Sequence, residues 1–132
     1  MANSLYTKGI EALMKGQVDL DTDTIKVTLI DVADYTVDLA AHDFINDVPA
    51  GARVATATLA NTTVTGGAFD ADDVTFSAVT GDQSEALVIW QDTGNEATSV
   101  LIYYGDTHTG LPVTPNGGDI SITWSSGASK IF

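Results

Sequence analysis

The chain has 132 residues, of which 44% are hydrophobic, and its 18 acidic and five basic residues give a formal net charge of -13 at pH 7. This length and composition are those of one globular domain with its own core. The acidic excess repels nucleic-acid phosphates and anionic membrane surfaces, so we expect neither as a partner. The chain has no cysteine, which excludes disulfides and zinc–thiolate sites.

The first sixteen residues contain the only good helix candidate. Their apolar side chains recur at helical spacing: Tyr6, Ile10, Leu13 and Met14. Asn3 or Ser4 is placed to cap the start, and Gly16 stands where a helix commonly ends. We therefore predict an N-terminal helical segment over residues 1–17, followed by a single β domain over residues 18–132. This start lacks the pattern of a signal peptide, so we expect synthesis in a cytoplasm.

After the helix, apolar and polar residues alternate with a period of two. The clearest segments are Ile25–Leu29, Val74–Ala78 and Ile120–Trp124, and Arg53–Leu59 alternates more weakly. Alternation of this kind predicts half-buried strands with one face in water.

Two further strands are apolar on both faces. They are Ala86–Trp90 and Val100–Tyr104, and each needs cover on two sides. The linker between them carries Gly94 and Asn95 at its tip, which predicts a hairpin. Because one core and one short helix offer limited cover, we expect a homo-oligomer to supply some of it.

The spacing of strands and turns predicts a mainly β fold with a short N-terminal α-helix. Six to eight short strands separated by Gly, Asp, Asn and Pro clusters favour an antiparallel β-sandwich or a jelly-roll-like domain. Two long connections, residues 31–52 and 105–118, stand out, because loops of this length are uncommon in compact domains without a function.

No residue pattern predicts catalysis, a cofactor or a bound metal. Asp19, Asp21 and Asp23 resemble the start of a calcium loop, but Thr24 and Ile30 replace the glycine and glutamate that such a loop requires. A solvated turn is favoured there and also at Asp70–Asp73. His42 and His108 are the only histidines, and no nucleophile motif accompanies them. Both are interpreted as surface loop residues.

Four aromatic residues lie on predicted strands: Trp90, Tyr103, Tyr104 and Trp124. Their aliphatic neighbours favour a place in the core. If these rings were instead exposed, they would form a stacking surface for sugars. A carbohydrate-binding module is therefore an alternative function.

Several stretches along nearly the full chain carry a family resemblance: residues 3–9, 21–26, 34–37, 49–56, 73–76 and 110–120. Through them the chain resembles small virion structural proteins of tailed bacteriophages, of the kind that decorate or cement a capsid. The resemblance implies a non-catalytic protein, made in the host cytoplasm, that binds the major capsid protein or neighbouring virion proteins on the capsid exterior. It favours a trimer over a dimer. A place in the tail, neck or fibre base is the alternative.

Two segments are the predicted partner-binding parts. The helix is too short to be stable alone, and the connection over residues 105–118 is long for a plain link. Their candidate contact residues are Leu5, Tyr6, Ile10, Leu13 and Met14 in the first segment, and His108, Leu111 and Val113 in the second.

Overall fold

The computed structural model describes residues 3–128 and 130–132. Within them it has one α-helix, α1 (Thr7–Met14), and nine strands whose pairings are all antiparallel. The strands are β1 (Ser4–Leu5), β2 (Ile25–Ile30), β3 (Arg53–Thr58), β4 (Thr63–Thr65), β5 (Ala68–Asp70), β6 (Val74–Phe76), β7 (Ala86–Gln91), β8 (Leu101–Gly105) and β9 (Ile120–Ile122). The prediction of a mainly β fold with one short N-terminal helix is confirmed.

The largest unit is a five-stranded sheet in the order β1-β8-β7-β2-β3. The predicted hairpin is its centre, because β7 pairs with β8 and Gly94 takes a φ of 86° in the loop between them. A positive φ costs glycine little, which explains its place in this turn.

One face of this sheet packs on the two smaller sheets, β4-β5 and β6-β9, and on α1. In β6, Val74 and Phe76 are buried while Thr75 is exposed, and β9 follows the same rule with Ile120, Ser121 and Ile122. The predicted alternation with one face in water is therefore confirmed for these two strands.

The other face is covered by the connection between β2 and β3, which we call the cover loop (residues 31–52). It includes two 3-10 turns, Ile45–Asp47 and Ala50–Ala52. Its buried side chains form one cluster with those of the sheet: Tyr6, Ile30, Tyr35, Ile45, Val48, Ala52, Ala86, Val88, Trp90, Leu101 and Tyr104. The long connection is therefore a layer of the core.

The cover loop overturns the prediction of a wet face on β2. Thr28 is fully buried, accepts a hydrogen bond from Trp90 Nε1 at 2.9 Å and shares another with Thr56 at 2.8 Å. A threonine whose hydroxyl is satisfied in this way is tolerated inside the core. The larger core cluster covers one face of β2 at Val27 and Leu29, and the cover-loop cluster covers the other face at Ile30, so both faces are buried.

The cover loop also removes one reason for expecting an oligomer. Residues Ala86–Ile89 and Leu101–Ile102 are fully buried within a single chain. A second chain is therefore not needed to cover these strands, and self-assembly stays a prediction of the resemblance.

The N-terminal segment is joined to the β domain. Leu5 pairs with Tyr103 in the central sheet, so the chain is a strand where the sequence predicted the helix start. Asn3 Oδ1 does not cap the helix; it accepts hydrogen bonds from the backbone N–H groups of Asp106 and Thr107. Gly16, with a φ of 70°, stands just beyond the helix end as predicted.

Candidate functional site

Helix α1 packs on β8 through its smallest residues. Gly9 and Ala12 are its buried positions. A Cβ at Gly9 would lie 2.6 Å from the Leu101 carbonyl oxygen and 2.8 Å from the Ile102 Cα. Only glycine allows the helix to approach the β8 backbone so closely.

This packing turns the apolar stripe of the helix away from the sheet. The side chains of Ile10, Leu13 and Met14, spaced by three and four residues, share one side of the helix, which we call the helix surface. Met14 is 82% exposed and Ile10 is 39% exposed, while Leu13 is half-buried at the border. An exposed methionine next to an exposed isoleucine on a strongly acidic domain is a candidate contact surface.

The helix surface adjoins a shallow cleft of about 500 Å³. Leu13 lines this cleft together with Val18, Leu20 and Val64. Val64 lies on β4 and is itself 49% exposed. Apolar groups from the helix and from the β4-β5 hairpin thus meet at one side of the molecule.

Tyr6 is not available to a partner, which corrects the prediction that it is a contact residue. It is fully buried, and its hydroxyl lies 2.9 Å from that of Tyr35. Burial, reinforced by Tyr35, raises the pKa of Tyr6 well above its usual range. Tyr6 ends up in the core because it stands between β1 and α1, where the chain passes over the sheet. Leu5 is half-buried.

His42 fixes the cover loop to this buried pair. Its Nδ1 accepts a hydrogen bond from the Asp38 N–H at 3.2 Å, so the Tyr35 hydroxyl, 2.8 Å away, donates to the same nitrogen. Tyr6 then donates to Tyr35. Burial raises the pKa of Tyr35 to about 12. The chain of hydrogen bonds gives His42 a structural role, where the sequence suggested a plain surface residue.

His108 is also buried, so the predictions of a surface residue and of a partner contact are both wrong. Its Nε2 lies 2.7 Å from the Tyr103 hydroxyl, and its ring meets Trp124 edge-on. A Cβ at Gly105 would come within 2.7 Å of Nε2, so the glycine leaves the space that the ring fills. Burial lowers the pKa of His108.

The rest of the connection over residues 105–118 is fastened to the domain. Val113 bridges to Ser84, and Gly118 accepts a hydrogen bond from the Val79 N–H. Leu111 and Val113 are half-buried against the larger core cluster. This connection therefore offers a partner less apolar surface than the helix does.

The strand aromatics are core residues, as predicted. Trp90, Tyr103, Tyr104 and Trp124 are all buried. Trp124 lies at the wall of a cleft of about 540 Å³ whose other side chains are mostly hydroxyls, but it is only 5% exposed and its Nε1 donates to the Asp72 carbonyl. These rings present no stacking face for a sugar.

The acidic groups noticed in the sequence serve local structure. Asp23 Oδ2 accepts hydrogen bonds from the Asp19 N–H and from Gln91. Asp72 Oδ2 accepts one from Asn61, and Asp73 Oδ1 accepts one from the Trp124 N–H. Neither histidine hydrogen-bonds a serine or threonine hydroxyl within the described part of the chain.

The structure brings together an acidic cluster that the sequence analysis missed. One carboxylate oxygen from each of Asp31, Asp34 and Asp82 lies within 4.8 Å of the others, a spacing that suits a cation. No local sequence motif predicts this cluster, because Asp82 lies in a turn far along the chain from Asp31 and Asp34. Asp31 is buried, and its Oδ1 accepts the Ala33 N–H.

A further cleft of about 490 Å³ lies beside this cluster, where the cover loop meets the sheet. Its lining joins apolar, aromatic and acidic side chains from four parts of the chain: Val32, Tyr35, Thr36, Val37, Glu85, Tyr104, Asp106 and Pro112. We call it the acidic cleft.

Comparison with known protein families finds none that matches this chain, and comparison with curated proteins likewise finds no match. Among the described residues, no helix is long and apolar enough to cross a membrane.

Proposed function

We propose that this protein is a non-catalytic structural component of a tailed-bacteriophage virion that decorates the capsid exterior. In this proposal the helix surface binds the major capsid protein and the rest of the domain faces the medium. The observation that carries the proposal is the outward direction of the helix surface, with Met14 82% exposed. The choice of the major capsid protein as the partner rests on the resemblance of the sequence to small virion proteins.

One helix surface alone would bind the capsid weakly, so stable binding requires several linked copies of the contact. Full burial of an Ile or Met side chain contributes about 1.5–3 kcal/mol, so one helix surface gives a weak contact. A trimer on a local symmetry axis of the shell would present three such surfaces at once, and linked contacts raise the overall affinity by orders of magnitude.

The charge of the domain supports an exterior position. A net charge of -13 is repelled by packaged DNA and favours solubility of a particle that carries many copies. The helix surface lies on a segment with its own ion pair, Lys8 with Glu11 at 3.2 Å. The adjoining cleft also carries Asp19 and Asp21, so the matching surface of the partner should be neutral or basic there.

Location in the particle tests the proposal. Virions of the source phage would be labelled with gold-conjugated antibody against this protein and viewed by electron microscopy. We expect label distributed over the head. Label confined to the tail, neck or fibre base would replace decoration by the alternative location, and unlabelled particles that contain no copy of the protein would reject a virion role.

A further inference from the structure

The acidic cleft has the shape and charge of a site for a long cationic side chain. Its walls include Val32, Val37 and Pro112, while Glu85 and Asp106 supply two carboxylates. The cleft volume of about 490 Å³ lies within the range of about 300–1,000 Å³ that is typical of ligand sites.

Glu85 is the strongest indication that the acidic cleft binds a ligand. Its Oε2 is buried and has no hydrogen-bond partner among the described residues. Burial first, and repulsion from Asp31 second, raise the pKa of this carboxyl, against a smaller opposing effect of a hydrogen bond from the Val32 backbone. A buried carboxylate oxygen without a partner is costly even when the other oxygen is hydrogen-bonded, and a cation placed beside it would offset that cost.

The neighbouring charges add to the same effect. The pKa of Tyr104 is raised by burial and further by the charges of Asp106 and Glu85, so both carboxylates act on the space around its ring. No lysine or arginine lines the cleft. Three of the five basic side chains of this protein are already in ion pairs elsewhere, Lys8, Lys26 and Arg53.

We propose that the acidic cleft binds a lysine or arginine side chain presented by a partner protein. The aliphatic stem of that side chain would pack against Val32 and Val37, and its charged head would lie at Glu85 and Asp106. Long basic side chains are suited to such mixed sites, because they combine an apolar stem with a charged end.

A divalent metal fits the acidic cleft less well. Calcium and magnesium prefer a shell of oxygen ligands, whereas this cleft has aliphatic walls. The group of carboxylate oxygens close enough to share an ion, among the residues described, is Asp31, Asp34 and Asp82, and neither Glu85 nor Asp106 belongs to it.

Titration of the full chain with small probes tests this proposal. The cationic probes are N-acetyl-arginine amide and N-acetyl-lysine amide, the neutral control is N-acetyl-citrulline amide, and the readout is the backbone amide NMR spectrum. We expect saturable shifts at Val32, Val37 and Tyr104 with at least one cationic probe in the millimolar range. The citrulline probe should produce none.

Two variants make the charge requirement explicit. Glu85→Gln keeps the shape of the side chain and should weaken binding of the cationic probe about tenfold. Its control is Glu11→Gln, which removes one negative charge on α1, away from the acidic cleft, and should leave binding unchanged.

A second pair of variants tests the site without relying on Glu85. Thr36 is exposed and lines the cleft, so Thr36→Lys should place a cation inside it, abolish probe binding and raise the melting temperature. Thr63→Lys, at an exposed position of β4, adds the same charge elsewhere and should leave probe binding unchanged.

Four results would overturn the proposal. They are no saturable shift with either cationic probe at 100 mM, equal binding of the citrulline probe, equal weakening by Glu11→Gln and Glu85→Gln, or displacement of the cationic probe from the same amides by calcium chloride. The last result would make the cleft part of a metal site.

Discussion

The two segments that the sequence marks as partner-binding are built in opposite ways. The helix turns Ile10 and Met14 outward and packs through Gly9 and Ala12. The connection over residues 105–118 turns His108 inward and fastens itself to the domain. An apolar pattern shows that a segment has two sides, but the small residues decide which side can approach the core.

The two sides of α1 also have different roles, because the inner side stabilises the fold and the outer side is the proposed contact. The inner residues of α1 hold the segment on β8, whereas Met14 on the outer side is 82% exposed and Ile10 is 39% exposed. Changes on the inner side should therefore lower stability, and changes on the outer side should affect binding.

Deletion of residues 2–15 should prevent cooperative folding. It removes β1, which pairs with the edge of the central sheet, and it removes Tyr6, which is fully buried beneath the cover loop. Loss of a buried aromatic side chain alone costs about 3–5 kcal/mol, a large part of the stability of a domain of this size. Near-UV circular dichroism and thermal unfolding of the truncated chain would measure this effect. A truncated chain that unfolds cooperatively would show instead that the helix is a separate appendage.

The substitution Gly9→Ala should destabilise the protein by roughly 1–2 kcal/mol. The new Cβ would meet backbone atoms of Leu101 and Ile102, which cannot move aside as a flexible side chain can. Overpacking of this kind costs about 1–3 kcal/mol, and the better helix propensity of alanine recovers about 1 kcal/mol at most. Urea unfolding would measure the difference.

Gly51→Ala is the matched control for this change. A Cβ at Gly51 meets nothing within 4 Å, and its backbone has no positive φ. It should therefore leave the free energy of unfolding nearly unchanged. Equal stability of Gly9→Ala and wild type would contradict the close packing of α1 on β8.

His108→Gln should flatten the pH dependence of stability on the acidic side. Burial lowers the pKa of His108 in the folded state below its ordinary value of 6.5. Well above pH 6.5 the imidazole is neutral in both states and contributes no pH dependence. As the pH falls below 6.5 the unfolded state takes up the proton first, so the folded state loses stability until the folded pKa is passed.

Urea unfolding of wild type and His108→Gln at pH 8, 6 and 5 would measure this contribution. The variant should be less stable at pH 8, because the hydrogen bond to Tyr103 is altered, but it should lose less stability between pH 6 and 5. Parallel decline of the two proteins would mean that His108 is reached by water in the folded state.

The regular elements of this fold could be predicted from the sequence because they leave a periodic signal. Alternation indicated β6 and β9, and two apolar runs around Gly94 indicated the central hairpin. The β2 strand also alternates, but its burial could not be predicted, since Thr28 is satisfied by Trp90, a residue far along the chain. Local alternation reports which residues are apolar, and it does not report what lies above the polar ones.

The features around the acidic cleft could not be predicted for the same reason. The cover loop has no hydrophobic period, and it is held on the sheet in part by Tyr35, which hydrogen-bonds Tyr6 and is itself hydrogen-bonded to His42. Glu85 and Asp106 are ordinary acidic residues in the sequence, and only the folded chain puts them in one cleft. The apolar stripe that forms the helix surface could be predicted from the sequence. Its outward direction could not, because it depends on the close packing of Gly9 on β8.

The most direct test of the account is a comparison of particle binding with stability for Ile10→Ser/Met14→Ser. Under the proposed function, purified variant and wild-type protein would be mixed with capsids of the proposed phage prepared without this protein, and binding would be measured by co-sedimentation alongside the melting temperature. Lys15→Ser, which changes an exposed residue just after the same helix, is the control. We predict that the double variant keeps the wild-type melting temperature within about 2 °C, since both side chains are exposed, and loses at least tenfold in affinity for capsids, while Lys15→Ser binds normally. Wild-type binding by the folded double variant would contradict the claim that the helix surface is the contact.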